Sequence, residues 1–173
     1  MKEPKIYITN RYVDNRGYFK ESRPNYIMND LSCSFVQENL SFSKKGTIRG
    51  LHYQWQPDMG KLISVISGSI IDILVDIREN SLNLGKIYYY KLSSEGGEVL
   101  WVPPGFAHGF EALEDSYVQY GCTTIYSSET EGSINIYDNF LNINLQTPKE
   151  YAIISERDKK SISFKEYCQN FKF

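Results

Sequence analysis

The sequence predicts an all-β fold, a sandwich or a jelly-roll barrel, on three observations. Aromatic residues make up 14% of the chain, with 14 Tyr and 9 Phe, and aromatic with β-branched side chains favour pleated strands. Short apolar segments alternate with turn residues along the whole length. Helical periodicity is confined to Pro24–Leu31 and the last dozen residues, so only a few short helices are expected. At 173 residues without repeats, low-complexity tracts or linkers, residues 1–173 are expected to form a single domain.

The elements follow in order. Gln37, Asn39, Ser41 and Ser43 alternate, as do Arg49, Leu51 and Tyr53 against Gly50, His52 and Gln54, so both segments read as strands. Leu62 to Ser67 is rich in Val and Ile, and Ser67-Gly68-Ser69 marks a turn. In Ile70 to Ile77, Ile71, Ile73, Val75 and Ile77 share one face and Asp72 and Asp76 the other. These two segments read as a hairpin. Lys86 to Leu92 and Val99 to Val102 follow, separated by Ser93 to Gly97, and Pro103-Pro104-Gly105 forces a turn. Tyr117 to Tyr126 completes the strand candidates.

Composition excludes several classes. A hydrophobic fraction of 41% rules out a disordered polar chain, and a net charge of -2 supplies no basic field for nucleic acid. No early apolar run has signal-peptide length and no apolar stretch could span a bilayer, so a cytoplasmic protein without membrane contact is expected. Cys33, Cys122 and Cys168 have no C-x-x-C spacing and read as free thiols. With only two histidines, His52 and His108, any imidazole chemistry must use one of them.

Alternation alone leaves the key residues open. The Gln37–Ser43 polar face either lines a cavity that a polar ligand satisfies or points to solvent. His52 and His108 are either catalytic or packed and hydrogen-bonded. Lys61 is either a site residue or a solvated loop-edge lysine, and Tyr120 is one tyrosine among 14.

Taken together and in order, these segments resemble the dTDP-4-dehydrorhamnose 3,5-epimerase family of the cupin superfamily. The resemblance runs from Asp14-x-Arg16-Gly17-x-Phe19-x-Glu21 through Gln37-x-Asn39-x-Ser41, then Arg49-Gly50-Leu51-His52-Tyr53-Gln54 and Gly60-Lys61. It continues through Pro104 to Phe110, Tyr120 to Tyr126 and Asp138 to Ser155-Glu156-Arg157-Asp158. It implies a cupin-like jelly-roll barrel and an isomerase needing no cofactor and no metal. The implied substrate is a nucleotide-diphosphate keto sugar. The implied reaction inverts carbons 3 and 5 of dTDP-4-dehydro-6-deoxy-D-glucose to give dTDP-4-dehydro-L-rhamnose.

The roles it implies agree with the chemistry. A ketone at carbon 4 acidifies the protons on carbons 3 and 5, so inversion needs a base, an opposing acid and a donor to the enolate oxygen. His52 matches the base, suited by an unperturbed pKa near neutrality. Asp158 matches its carboxylate partner, Tyr120 the opposing acid and Lys61 the oxyanion donor. Arg49 matches a diphosphate contact. Gln37, Asn39, His108, Tyr126 and Arg157 match other substrate-binding positions, and six residues of strict alternation would turn Tyr120 and Tyr126 to one face. Arg16, Phe19 and Glu21 match a nucleotide-binding segment that reaches in from a partner subunit. A homodimer is therefore expected, with an N-terminal strand around Lys5 to Ile8 exchanged. The pattern departs where Arg157 replaces a common Lys, where Tyr137 replaces a Trp, and in a shorter turn between Gln54 and Gly60.

Three alternatives stand beside this reading. A carbon-3-only epimerase of a related nucleotide sugar would share the same groups. A metal-dependent cupin would want two or three His with a carboxylate, but the first motif reads His52-Tyr53-Gln54. A non-catalytic sugar-nucleotide module would be expected to lack one acid–base group, and every such group is present.

Overall fold

The computed structural model describes residues 3–173. In chain order the strands are β1 (Lys5–Ile8), β2 (Tyr12–Asp14), β3 (Gly17–Phe19), β4 (Gln37–Ser43), β5 (Ile48–Gln54) and β6 (Lys61–Ser67). There follow β7 (Ser69–Asp76), β8 (Ile87–Ser93), β9 (Glu98–Val102), β10 (Phe106–Ala112), β11 (Ser116–Cys122) and β12 (Glu131–Ser133). The α-helices are α1 (Asn25–Leu31) and the single turn α2 (Phe164–Tyr167), and short 3-10 turns cover Lys149–Tyr151 and Asp158–Lys160. Helix α1 lies inside the expected span, with Pro24 as its N-cap. The terminal helix is much shorter than expected, and its Ser163/Glu166 capping box fixes where it starts.

Two five-stranded antiparallel sheets carry the fold, in the orders β1-β9-β6-β11-β4 and β12-β5-β10-β7-β8. They face each other without closing. Between them pack Ile63, Val65, Ile70, Leu74, Leu100, Phe110 and Val118. This is the jelly-roll arrangement, in which most consecutive strands belong to opposite sheets.

That arrangement corrects the hairpin expected at Ser67-Gly68-Ser69. β6 pairs with β9 and β11, whereas β7 pairs with β8 and β10. The turn is a corner between sheets. Gly68 has φ +85, and a Cβ there would stand 2.4 Å from the Asp115 carbonyl oxygen, so the corner is pressed against the loop between β10 and β11.

The Ile71–Ile77 face of β7 points out of the barrel yet is not solvated. It packs in a second core with Leu51 and Tyr53, under a C-terminal segment that contributes Phe164 and Tyr167. The Tyr167 hydroxyl donates to the Ile77 carbonyl at 2.8 Å and pins that cover. The opposite face, with Ile70, Asp72 and Leu74, is the barrel interior. Burying one such aliphatic side chain stabilises the fold by about 1.5–3 kcal/mol. Strand β7 is buried on both faces, which is why its side chains could not declare which sheet it joins.

β1 lies on β9 of the same chain, Lys5 opposite Trp101. Among the described residues the hairpin β2–β3 pairs only with itself, leaving Tyr12, Val13 and Phe19 exposed. Helix α1 covers the outside of the first sheet, where Ile27 and Leu31 pack on Leu62, Val99 and Trp101.

Candidate active site

β4 settles the question that alternation left open. Gln37, Asn39, Ser41 and Ser43 point inward, and it is Leu40 and Phe42 that face out, at 64% and 44% exposure. The interior end of the barrel is therefore polar. An inner chamber of about 120 Å³ is lined by Ser41, Arg49, His52, Lys61, His108, Gly109, Phe110 and Tyr120. It shares Arg49 and His52 with an outer cleft of about 550 Å³ that also holds Asp158 and Arg157.

His52 and His108 sit on β5 and β10 as cross-strand partners. Lys61 and Tyr120 come from β6 and β11 in the facing sheet. A ring held in the chamber would have the imidazoles on one side and the amine and phenol on the other.

His52 Nε2 lies 2.7 Å from Asp158 Oδ1 across 106 residues of chain. The other Asp158 oxygen accepts from the Gly50 N–H at 3.2 Å. Burial pushes the Asp158 carboxyl up, but these hydrogen bonds outweigh it and hold the group below the usual carboxylate range. The carboxylate therefore stays ionised and orients the ring. The β5–β10 ladder shifts register between His108 and Phe110, where Gly50 has φ +109. A Cβ at Gly50 would meet Gly109 Cα at 2.5 Å and the His108 carbonyl oxygen at 2.7 Å. Gly50→Ala is expected to cost about 2–3 kcal/mol. Urea titration checks this: the midpoint should fall with the slope unchanged.

The other expected residues divide. Arg49 Nε donates to Ser43 Oγ at 2.9 Å and a terminal nitrogen to the Phe42 carbonyl at 2.9 Å, leaving the guanidinium at the junction of chamber and cleft. Gln37 Nε2 donates to Asn39 Oδ1 at 3.0 Å, and Asn39 Nδ2 reaches Cys122 Sγ at 3.5 Å. His108 is buried on Asp72, with Nε2 and Oδ2 2.9 Å apart. Arg157 pairs with Glu131, which holds the guanidinium more firmly protonated. Arg16, Phe19 and Glu21 lie on and after the exposed hairpin, and none lines the chamber of its own chain. Arg16 pairs with Asp14 at 2.7 Å.

Tyr126 corrects the alternation argument. β11 ends at Cys122, so Tyr126 lies on an irregular segment rather than on the strand of Tyr120. Side chains replace the sheet ladder there. Gln37 Oε1 accepts from the Tyr126 N–H at 2.9 Å, and the Gln54 amide bonds the Ile125 carbonyl at 3.1 Å and the Ser127 N–H at 2.8 Å. The Tyr126 hydroxyl donates to Glu131 at 2.9 Å.

Sequence reading missed Asp72 and gave Glu131 no role. A signal for Asp72 existed: it shares its strand face with Ile70 and Leu74, so it is a carboxylate on an apolar face.

Burial lowers the Lys61 pKa, against the pull of Cys122, Glu131 and Asp72. Burial raises the Tyr120 pKa, so the phenol keeps its proton. No group of three His, Cys, Asp or Glu side chains among the described residues is arranged to hold a metal ion. No helix among them is long and apolar enough to cross a membrane.

Fold and chamber define a cupin-like barrel equipped for acid–base chemistry. The family model for dTDP-4-dehydrorhamnose 3,5-epimerase matches residues 1–166. A curated relative of that name from Methanothermobacter thermautotrophicus is 41% identical over 163 residues, covering 91% of this chain and 84% of the relative. The dTDP-4-dehydrorhamnose 3,5-epimerase of Elizabethkingia anophelis superposes with TM-score 0.87 at 38% identity, over 95% of this chain and 93% of that one. The dTDP-6-deoxy-D-glucose-3,5-epimerase of Legionella pneumophila, solved with dTDP-4-keto-L-rhamnose, gives TM-score 0.89 at 38% identity, over 94% and 88%. The chain belongs to the dTDP-4-dehydrorhamnose 3,5-epimerase family.

Proposed function

We propose that this protein inverts carbons 3 and 5 of dTDP-4-dehydro-6-deoxy-D-glucose, giving dTDP-4-dehydro-L-rhamnose. The observation that carries the reading is the His52–Asp158 pair on one sheet side of the chamber, with Lys61 and Tyr120 on the other. His52 removes the proton next to the ketone, and Asp158 stabilises the imidazolium that forms. Lys61 donates to the carbon-4 oxygen as it becomes an enolate. Tyr120 returns a proton from the opposite face, which inverts the centre. Arg49 and Arg157 bind the diphosphate, and Gln37, Asn39, His108 and Tyr126 hold the sugar and nucleotide.

Proton NMR of the reaction in deuterated water tests the reading directly. Deuterium at both carbons is expected. Label at carbon 3 alone would make this a carbon-3 epimerase, and no label would refute the assignment.

The lowered Lys61 pKa has its own consequence. The enolate donor must be an ammonium, so kcat/KM should fall on the alkaline side at a pH below the ordinary lysine value of about 10.4. Lys61→Met should lose about 3–4 kcal/mol of transition-state stabilisation at neutral pH and lose that alkaline limb as well.

The assembly is a homodimer in which the β2–β3 hairpin brings Arg16, Phe19 and Glu21 to the partner's nucleotide site. Support comes from the hairpin's isolation and from the outward apolar side chains Leu40, Phe42 and Tyr117 on β4 and β11. Light scattering should give twice the chain mass, and Phe19→Ala should raise KM more than it lowers kcat.

A further inference from the structure

Asp72 is an unusual residue for its place. It is 0% exposed, on the interior face of β7, with Ile70 and Leu74 on either side and Phe110 and Tyr90 opposite it. Its Oδ2 meets His108 Nε2 at 2.9 Å, while its buried Oδ1 has no hydrogen-bond partner among the described residues. A half-satisfied carboxylate among aliphatic side chains opposes stability, because burial in place of hydration is repaid only by full pairing. Such groups persist where they serve a site. The histidine it holds lines the chamber beside His52.

We propose that Asp72 is a positioning residue: its carboxylate accepts the Nε2–H of His108 and so leaves the Nδ1 lone pair to accept a hydrogen bond from a hydroxyl of the bound sugar. A neutral imidazole carries one proton, and a carboxylate can only accept, so the pair fixes which nitrogen is bare. Burial favours that neutral form, outweighing the pull of Asp72 itself; Lys61 and His52 push the same way. The division of labour follows. Lys61 donates to the ketone oxygen, His52 takes the carbon-bound proton, and His108 recognises a hydroxyl that a deoxygenated ring would lack. The inference rests on the epimerase reading for its substrate, but the tautomer itself does not.

With only two histidines, the ring nitrogens of ¹⁵N-histidine-labelled protein can be assigned using His52→Gln. Wild-type His108 should be the Nε2–H tautomer, and Asp72→Leu should abolish that preference. Asp72→Leu removes a buried charge but also the acceptor of the His108 Nε2–H, so its Tm should fall rather than rise. Its kcat/KM should drop about tenfold, mostly through KM. Asp72→Asn, which conserves shape and offers His108 either an acceptor oxygen or a donor NH2, should weaken the Nε2–H preference with a smaller kinetic loss, and covers the case in which the Leu variant fails to fold. An Nδ1–H tautomer in the wild type overturns the proposal. So does wild-type kcat/KM in either variant once its Nε2–H preference is lost, or a loss confined to kcat. A wild-type protein that labels no substrate in deuterated water sinks the epimerase reading instead, and the tautomer result still decides Asp72.

Discussion

His52→Ala is expected to lower kcat/KM by about 10⁴-fold and to stop deuterium incorporation at both carbons. The loss is large because no second group stands ready. His108 is the other imidazole, but burial lowers its pKa and makes it a weaker base, and its Nδ1 is engaged by the bound sugar. Asp158 is the nearest carboxylate, but it sits behind His52, bonded to the Gly50 N–H, and the Ala variant leaves the space of an imidazole between it and the chamber. At that distance it cannot take the proton in place of His52. Asp158→Asn should approach the same loss, because an amide facing Nε2 can hold the wrong tautomer or leave the imidazolium unpaired. The measurement is NMR-detected exchange with protein concentration matched by absorbance. Residual exchange within tenfold of wild type would remove His52 from its role.

Tyr120→Phe should separate two events that the wild type couples. Inversion should fall by about 10²–10³-fold, since the phenol supplies the proton on the face opposite His52. Exchange should fall much less. His52 can still remove a proton and, after solvent exchange, return a deuteron to the same face, while Lys61 still steadies the enolate. The ratio of exchange to inversion therefore rises. Tyr120 sits on the facing sheet from His52, in the same chamber, and burial keeps its hydroxyl protonated. Inversion at the wild-type rate, or exchange lost in step with inversion, would show that the proton comes from elsewhere.

The positions of β4 to β9 were legible because turn residues bound them, and the observed ends of β6, β7 and β9 fall within a residue or so of those read from Leu62, Ile70 and Val102; β10, which carries His108, was not read as a strand, and β11 stops four residues short of Tyr126. Sheet membership was not legible. Alternation reports faces, but β5 and β7 are buried on both faces, so nothing in their residues separates a hairpin from a corner. The site divided in the same way. The polar face of Gln37 to Ser43 was visible, but its direction was decided by Leu40 and Phe42, which look like core residues and are not. His52 acquires chemical meaning only through Asp158, and no local pattern links residues 106 apart in sequence. The family resemblance supplied that link. Asp72 escaped because an acidic residue in an alternating strand reads as a solvent-facing one.

The corners that carry successive strands between sheets also govern how the molecule comes together in time. Closing long loops precedes any reward from contact, so folding should be slow for a chain of this size. The chamber takes Ser41, His52, Lys61, His108 and Tyr120 from five different strands, and its base is completed by Asp158 near the far end. A partly folded chain therefore has no version of the site. Nucleotide-sugar affinity becomes a reporter of the native topology, and saturating ligand at about 100 times Kd should add about 2.7 kcal/mol to the whole fold rather than to one loop.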